Sequence, residues 1–301
     1  PIDCDFHFET ASARIVEPWQ MLDEVAAIAK AALELSGGSV DMVVAKLIAE
    51  SKVDDVHRAI AKRLLGASSS VLVFGDFAVQ HPAASRLRAL ARAVAQLTNT
   101  AFNEVASGAN GVGLARVGVV PGEGGASAAQ ILAQPRKALL TWHAGSQDTL
   151  RSKAYDDARS NAEFHVYVGA YACNGVKRTA HAVLPIGLAP EIDGSYVNVD
   201  GSVQIVAAGA KLPGEARAGW RVLRALGAAL GVSNFDFTDI ADVRARMGGK
   251  LGAAVPMSAA MSDTTKSGVG LTRIATVPIY RADAVLRRSS ALLATPLAQP
   301  A

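Results

Sequence analysis

The chain has 301 residues, 50% hydrophobic and 19% charged, enough to bury the core of one large or two medium domains. Thirty Lys and Arg against 27 Asp and Glu leave a net charge of +3. The basic residues are scattered and aromatics reach only 5%, so no nucleic-acid partner is expected. Cys4 and Cys173, the only cysteines, lie far apart without a CxxC and build neither a disulfide framework nor an iron-sulfur cluster.

In chain order, the start Pro1-Ile2-Asp3-Cys4-Asp5-Phe6 lacks an initiator methionine and helix-start residues, and reads as a cut inside a longer polypeptide. Three helical stripes follow near 3.6-residue spacing: Leu22, Val25, Ala29 and Leu33; Val40, Val43, Val44 and Leu47; Val56, Ile60 and Leu64. Ser39 and Asp54 stand at the expected N-caps. The period then changes at Val71-Leu72-Val73-Phe74-Gly75, which reads as a parallel strand buried on both faces. Pro82 opens a helix with the stripe Leu87, Leu90, Ala91, Val94 and Leu97.

Strand and helix alternate again beyond this point. Lys137 to Trp142 predicts a strand, Asp148 to Ser160 a helix, Phe164 to Val168 a strand, and Thr179 to Leu184 a short strand closed by Pro185. This alternation predicts an α/β fold, a doubly wound, mainly parallel sheet. A turn-rich segment runs through Asp193-Gly194 and Asp200-Gly201. A helix from Ala216 to Leu230 then carries Trp220, Leu223, Leu226 and Leu230 on one face. The Gly/Ala/Ser-rich segment 248–270 reads as loop, and a tail from Val277 to Leu293 contains Arg287-Arg288, read as capping a solvated helix end. The organisation expected is a helical segment 1–67 belonging to a preceding domain, an α/β dinucleotide-binding-like domain 68–213, and a helix with an extended tail over 214–301. No apolar run approaches the ~20 residues of a membrane span, so no direct membrane insertion is expected.

The candidate chemical motifs each read more simply as structure. Gly108-Ala109-Asn110-Gly111-Val112-Gly113 resembles a phosphate cradle, but its placement after a helix, instead of between a strand and its helix, favours a plain loop. Among His7, His57, His81, His143, His165 and His181, no pair has zinc-site spacing. His143, Ser146 and Asp148 have the residue types of a triad, but three members in six residues cannot readily reach nucleophile-base-orienter geometry. Glu191 and Asp193 read as turn residues bonding backbone. No residue is assigned a catalytic, cofactor-binding or metal-ligating role.

The segment Ala182-Val183-Leu184-Pro185, then Glu191 through Gly201 and Gln204, resembles the molybdopterin-oxidoreductase pattern "VLP … E-x-x-G-[ST]-[FY]-x-N-x-[ED]-G-R-x-Q". Ser202 departs from it, standing where the pattern commonly has Arg. Phe74-Gly75 with Gln80-His81-Pro82, Leu132 to Ala138, Gly214 to Arg217 leading to Trp220, and the closing Val277 to Arg288 are similar to the complex I branch of that superfamily. There they match the C-terminal part of the iron-sulfur-carrying hydrophilic-arm polypeptide of bacterial NADH:quinone oxidoreductase, respiratory complex I. That resemblance implies a non-catalytic α/β module of the hydrophilic arm. It would lie peripherally on the cytoplasmic side of the bacterial inner membrane, with other hydrophilic subunits of complex I as partners. It further implies no cofactor in this segment, while the parent polypeptide carries 2Fe-2S and 4Fe-4S clusters elsewhere. The alternative is a fragment of a molybdopterin-dependent, formate dehydrogenase-like oxidoreductase that retains cofactor contacts.

Overall fold

A computed structural model describes residues 8–105, 108–121, 124–148, 152–251, 279–283 and 285–298. Cys4, His7, Gly122 and most of the segment 248–270 lie outside the described residues. The chain divides into two compact units between residues 105 and 108, with the tail 279–298 in the second. The dividing point falls within the 68–213 span that the strand-helix alternation groups together.

The first unit begins with α1 (Met21–Ser36), α2 (Met42–Ile48) and α3 (Asp55–Leu65), on the expected stripes. Asp54 caps α3, its carboxylate accepting at 3.0 Å from the backbone N–H groups of Val56 and His57, donors that the helix itself leaves unpaired. Ser39 does not cap α2. Asp41 does, accepting from Val43 and Val44 at 2.8 and 2.9 Å, because the helix starts only at Met42. Ala29, Ala31 and Ala32 of α1 have no exposed surface, and these small side chains let α1 lie against both α3 and α5.

Next come β1 (Val71–Phe74), α4 (Asp76–Val79), α5 (Ala84–Leu97) and β2 (Ala101–Glu104). Strands β1 and β2 pair in parallel, Val71 opposite Ala101 and Phe74 opposite Glu104, so α5 is the crossover of a β-α-β unit. Leu87 and Leu90 of α5 are fully enclosed, each worth roughly 1.5–3 kcal/mol of hydrophobic stabilisation. The expectation that β1 is buried on both faces is corrected. Phe74 is buried, but Val71 and Val73 are 60% and 59% exposed, since the described residues cover only one side of this two-stranded ladder. Strand β2 is an addition to the expected elements.

The second unit contains α6 (Gly111–Arg116), α7 (Ala128–Leu132), β3 (Ala138–Trp142), α8 (Ser152–Asn161), β4 (Phe164–Gly169), α9 (Asn174–Thr179) and β5 (Ala182–Pro185). Strands β3, β4 and β5 form one parallel ladder in that order. A ladder advancing in one direction through right-handed crossovers places its helices on one face, and α8 indeed touches both α7 and α9. The α/β class with parallel strands is as expected. Thr179 belongs to α9, not to the following strand, because its hydroxyl bonds back to Gly175 within the helix.

Strands β6 (Gly194–Val197) and β7 (Val203–Val206) pair antiparallel, so the segment read as turns is a hairpin. Its tip is Asp200-Gly201, with Gly201 at φ +88°. Helix α10 (Gly219–Ala229) starts later than Ala216, and a further helix, α11 (Ile240–Leu251), takes in Gly248 to Leu251 of the segment read as loop. The tail forms α12 (Ile279–Ala282), a 3-10 turn at Leu286–Arg288 and α13 (Ser290–Leu293).

The apolar stripe of α10 is not where its burial lies. Leu223 and Leu230 are exposed, and the buried positions are Gly219 and Gly227. Two aromatic rings rest on these glycines: a Cβ at Gly219 would meet Trp142 at 2.7 Å, and one at Gly227 would meet Phe235 ring carbons at 2.3 Å. Gly227→Ala is therefore expected to displace Phe235 and destabilise the protein by about 1–3 kcal/mol. A urea unfolding midpoint equal to that of the unsubstituted chain would contradict this.

Candidate functional site

Open parallel sheets receive ligands beyond the C-terminal ends of their strands, which here means the loops following β3 and β4. Strand β3 runs into His143, whose backbone enters the left-handed region at φ 53° while its N–H still donates to Val168 O at 2.7 Å. The next residues are pinned from inside the unit. Ala144 O accepts from the Tyr155 hydroxyl at 2.7 Å, and the Ser146 hydroxyl donates to the Asp156 carboxylate. Asp156 also holds Arg159 Nε at 3.0 Å. Arg159, itself buried, lies against α9 where Gly175 makes room: a Cβ there would meet its guanidinium at 2.5 Å.

The Gly145 N–H donates to Asp148 Oδ2 at 2.6 Å. That donor, turned toward the strand ends, is the kind of group a phosphate-binding loop offers its ligand. Here the chain's own carboxylate takes it. Asp148 in turn accepts two bonds from Arg287 of the tail, at 2.5 Å to Oδ1 and 3.2 Å to Oδ2. Arg288 stands over the Tyr171 ring, its Cζ 3.7 Å from the centroid, and Tyr171 O accepts from the Tyr167 hydroxyl at 2.6 Å. The expectation that Arg287-Arg288 caps a solvated helix end is corrected. The Arg287 side chain is only 9% exposed and pairs with Asp148 in the loop after β3, while the exposed Arg288 stacks on Tyr171 after β4.

Burial raises the Tyr155 and Tyr167 hydroxyls above the usual tyrosine range, so both stay protonated donors. Burial first, then repulsion from Arg288, lowers His143, although Asp148 opposes the shift. Burial likewise lowers His165, which has no exposed surface; its Nε2 lies 3.0 Å from Thr141 Oγ1 and its Nδ1 3.4 Å from Thr179 Oγ1. His181 Nδ1 accepts from the His165 N–H, and His81 sits between Pro18 O and the Ala83 N–H. His57 reaches Glu24 at 3.1 Å and completes the cap of α3 through the Asp54 N–H. The imidazoles of His57, His81, His165 and His181 thus have structural partners, and no group of three metal-ligating side chains occurs among the described residues.

The triad types do not come together as a triad, since Ser146 bonds Asp156 and Asp148 bonds Arg287. Glu191 and Asp193 accept from the Leu188 and Ala208 N–H groups, as turn residues do. The glycine-rich run at Gly108 is corrected in one respect: β2 precedes it and α6 begins inside it. Its polar group is already engaged. Asn110 gives Nδ2 to Ser195 O at 3.0 Å and takes the Val197 N–H at 2.9 Å, stitching α6 to β6. Ser202, standing where the pattern has Arg, bonds Asp200, while Arg116 from α6 reaches Gly201 O at 3.2 Å.

A model of the molybdopterin oxidoreductase family matches residues 41–229, more than half of the chain. The chain belongs to that family. Within it, the chain is similar to the mitochondrial NADH-ubiquinone oxidoreductase 78 kDa subunit of Neurospora crassa, 36% identical over 111 residues, covering 37% of this chain and 14% of the relative. The mitochondrial NADH dehydrogenase [ubiquinone] iron-sulfur protein 1 of Solanum tuberosum is 33% identical over 103 residues, 34% of this chain and 13% of the relative. The 78 kDa subunit of Candida albicans is 38% identical over 85 residues, 28% of this chain and 12% of the relative. The chain spans only a small part of the length of these relatives. The resemblance to the complex I branch is borne out by these matches.

The family's name implies a pterin cofactor; at the loops beyond β3 and β4 the Gly145 N–H is taken by Asp148, and Arg288 stands over the Tyr171 ring.

Proposed function

We propose that this chain is a non-catalytic structural module of a complex I hydrophilic-arm subunit. Electrons pass from NADH to quinone through iron-sulfur clusters carried by the parent polypeptide outside this segment. In this reading it lies peripherally on the cytoplasmic side of a bacterial inner membrane and contacts other hydrophilic subunits. No helix among the described residues is long and apolar enough to cross a membrane, which is compatible with that position. One observation supports the non-catalytic part: the loops beyond β3 and β4 bond to the chain's own groups, Asp148 taking the Gly145 N–H and Arg287, and Arg288 stacking on Tyr171.

The purified protein is expected to contain neither molybdenum nor tungsten, and to release no fluorescent pterin on oxidation. Elemental analysis with pterin fluorimetry checks this. Near-stoichiometric metal together with pterin would replace the reading with a working, formate dehydrogenase-like molybdoenzyme.

A further inference from the structure

Helix α10 carries a feature that the structural role leaves unexplained. A groove of about 460 Å³ opens beside it, with Leu184, Trp220 and Leu226 as its apolar floor and Arg217, Arg221 and Arg224 along it. Arg221 and Arg224 stand three residues apart on α10 and so share a face about one turn apart, while Arg217 lies just before the helix, its backbone bridged to Ile186. Arg217 is held in place by the Glu215 and Ala216 carbonyls, and Arg221 lies over the Trp220 ring at 4.9 Å. Arg224 has no hydrogen-bond or ion-pair partner among the described residues. The nearby carboxylate, Asp242, is taken up by Thr238 through both its N–H and its hydroxyl. The groove therefore combines accessible apolar surface with three arginine side chains along it.

We propose that this groove docks an acidic, amphipathic helical segment of a partner protein. Carboxylates one turn apart on that segment pair with Arg221 and Arg224, a further one meets Arg217 at the start of the groove, and apolar residues between them fill the floor at Trp220 and Leu226. Guanidinium is suited to this role, because its planar fork meets a carboxylate with two bonds and sheds its hydration readily. Trp and Arg are also the residues on which interface energy concentrates, and an amphipathic helix laid in a groove is a recurrent mode of recognition. A lipid surface fits less well, since anionic membranes are held by clusters of about four to eight basic residues, more than the three arranged here along a narrow apolar slot. The proposal rests on the docking-module reading and specifies its surface.

Ala225 lines the groove and is exposed. The parent polypeptide carrying p-benzoylphenylalanine at this position, expressed in its own cells and irradiated, is expected to crosslink to an acidic helical segment of another protein, identified by mass spectrometry. The double variant Arg221→Glu/Arg224→Glu is expected to reduce recovery of the chain in its assembly at least tenfold, with its circular dichroism unchanged. Arg221→Gln/Arg224→Gln, which carries no introduced repulsion, provides the same test should the charge reversal unfold the helix. A crosslink to lipid alone, or full recovery of the folded charge-reversed chain, overturns the proposal. If the captured acidic segment belongs to a protein outside complex I, the groove stands and the complex I reading fails. If the charge-reversed chain still assembles into complex I, the reading stands and the groove fails.

Discussion

Arg287→Ala is expected to release the C-terminal tail from the strand ends and cost about 2 kcal/mol of stability. The figure lies between the limits for ion pairs, roughly 0–1 kcal/mol when exposed and 3–5 kcal/mol when a buried pair loses one member. The side chains of Arg287 and Asp148 are 9% and 28% exposed, nearer the buried limit. For a unit of this size the loss corresponds to a drop of about 4–8 °C in melting temperature. Arg287→Lys should recover only part of it, because a lysine cannot span both carboxylate oxygens. Asp148→Asn combined with Arg287→Ala should cost less than the sum of the two changes, since the two groups act as a unit. Chymotryptic cleavage at Tyr280 should accelerate as the tail loosens. Unchanged melting and unchanged cleavage together would show that the tail is held by other contacts and that the pair contributes little.

That ion pair also marks the boundary of what the sequence could disclose. The stripe of α1, the Asp54 cap, the apolar runs of β1, β3 and β4 and the stripe of α5 depend on residues a few positions apart, so periodicity and capping chemistry expose them directly. Strand β2 escapes such a reading because only Ala101 and Phe102 interrupt a polar stretch, and the ladder to β1, not the residues' own preference, holds it extended. Helix α9 hides behind Gly175, a helix-weakening residue that is there to admit Arg159. The hairpin β6–β7 reads as turns because both of its Asp-Gly pairs are turn residues, and the strand between them shows only in its pairing with β7 and its bonds to Asn110, far away in sequence. The exposed Val71 and Val73 break the both-faces-buried rule because the described residues cover the ladder on one side only.

The candidate site is the least legible part. Asp148 and Arg287 are 139 positions apart, and no local signal joins a strand-to-helix loop to a basic dipeptide in a tail. The residue types are visible, and the family resemblance already implies a silent site. The contacts of Asp148 with the Gly145 N–H and with Arg287 of the tail require the tertiary arrangement. The same holds for the α10 groove: Trp220, Leu223, Leu226 and Leu230 read as a buried stripe, whereas the aromatic rings on Gly219 and Gly227 leave much of that stripe facing outward.

Acid should weaken the protein well before its carboxylates titrate, and His165 should be the principal cause. Its imidazole has no exposed surface and stays neutral between Thr141 and Thr179, with its pKa pushed below the usual histidine value by burial, and further by Arg159 and His181. In the unfolded chain the same ring binds a proton near pH 6.5. Between that pH and the lower folded value the unfolded state carries the extra proton, so stability declines as pH falls from about 6.5, by up to about 1.4 kcal/mol per pH unit for this one group. His143, lowered by burial and by Arg288, acts in the same direction. Glu24 has the opposite kind of charge but also a lowered pKa, held down chiefly by its hydrogen bond from Arg14. Its contribution is complete above the unfolded carboxylate value and is lost only as pH drops below about 4.5, which keeps the two windows apart. Urea unfolding measured from pH 8 to pH 5 should therefore show a declining midpoint below pH 6.5, and His165→Gln, which bonds both threonines without titrating, should flatten the decline. An equally steep decline in His165→Gln would mean that the proton is taken up elsewhere and that the buried imidazole does not set the acid limit of this fold.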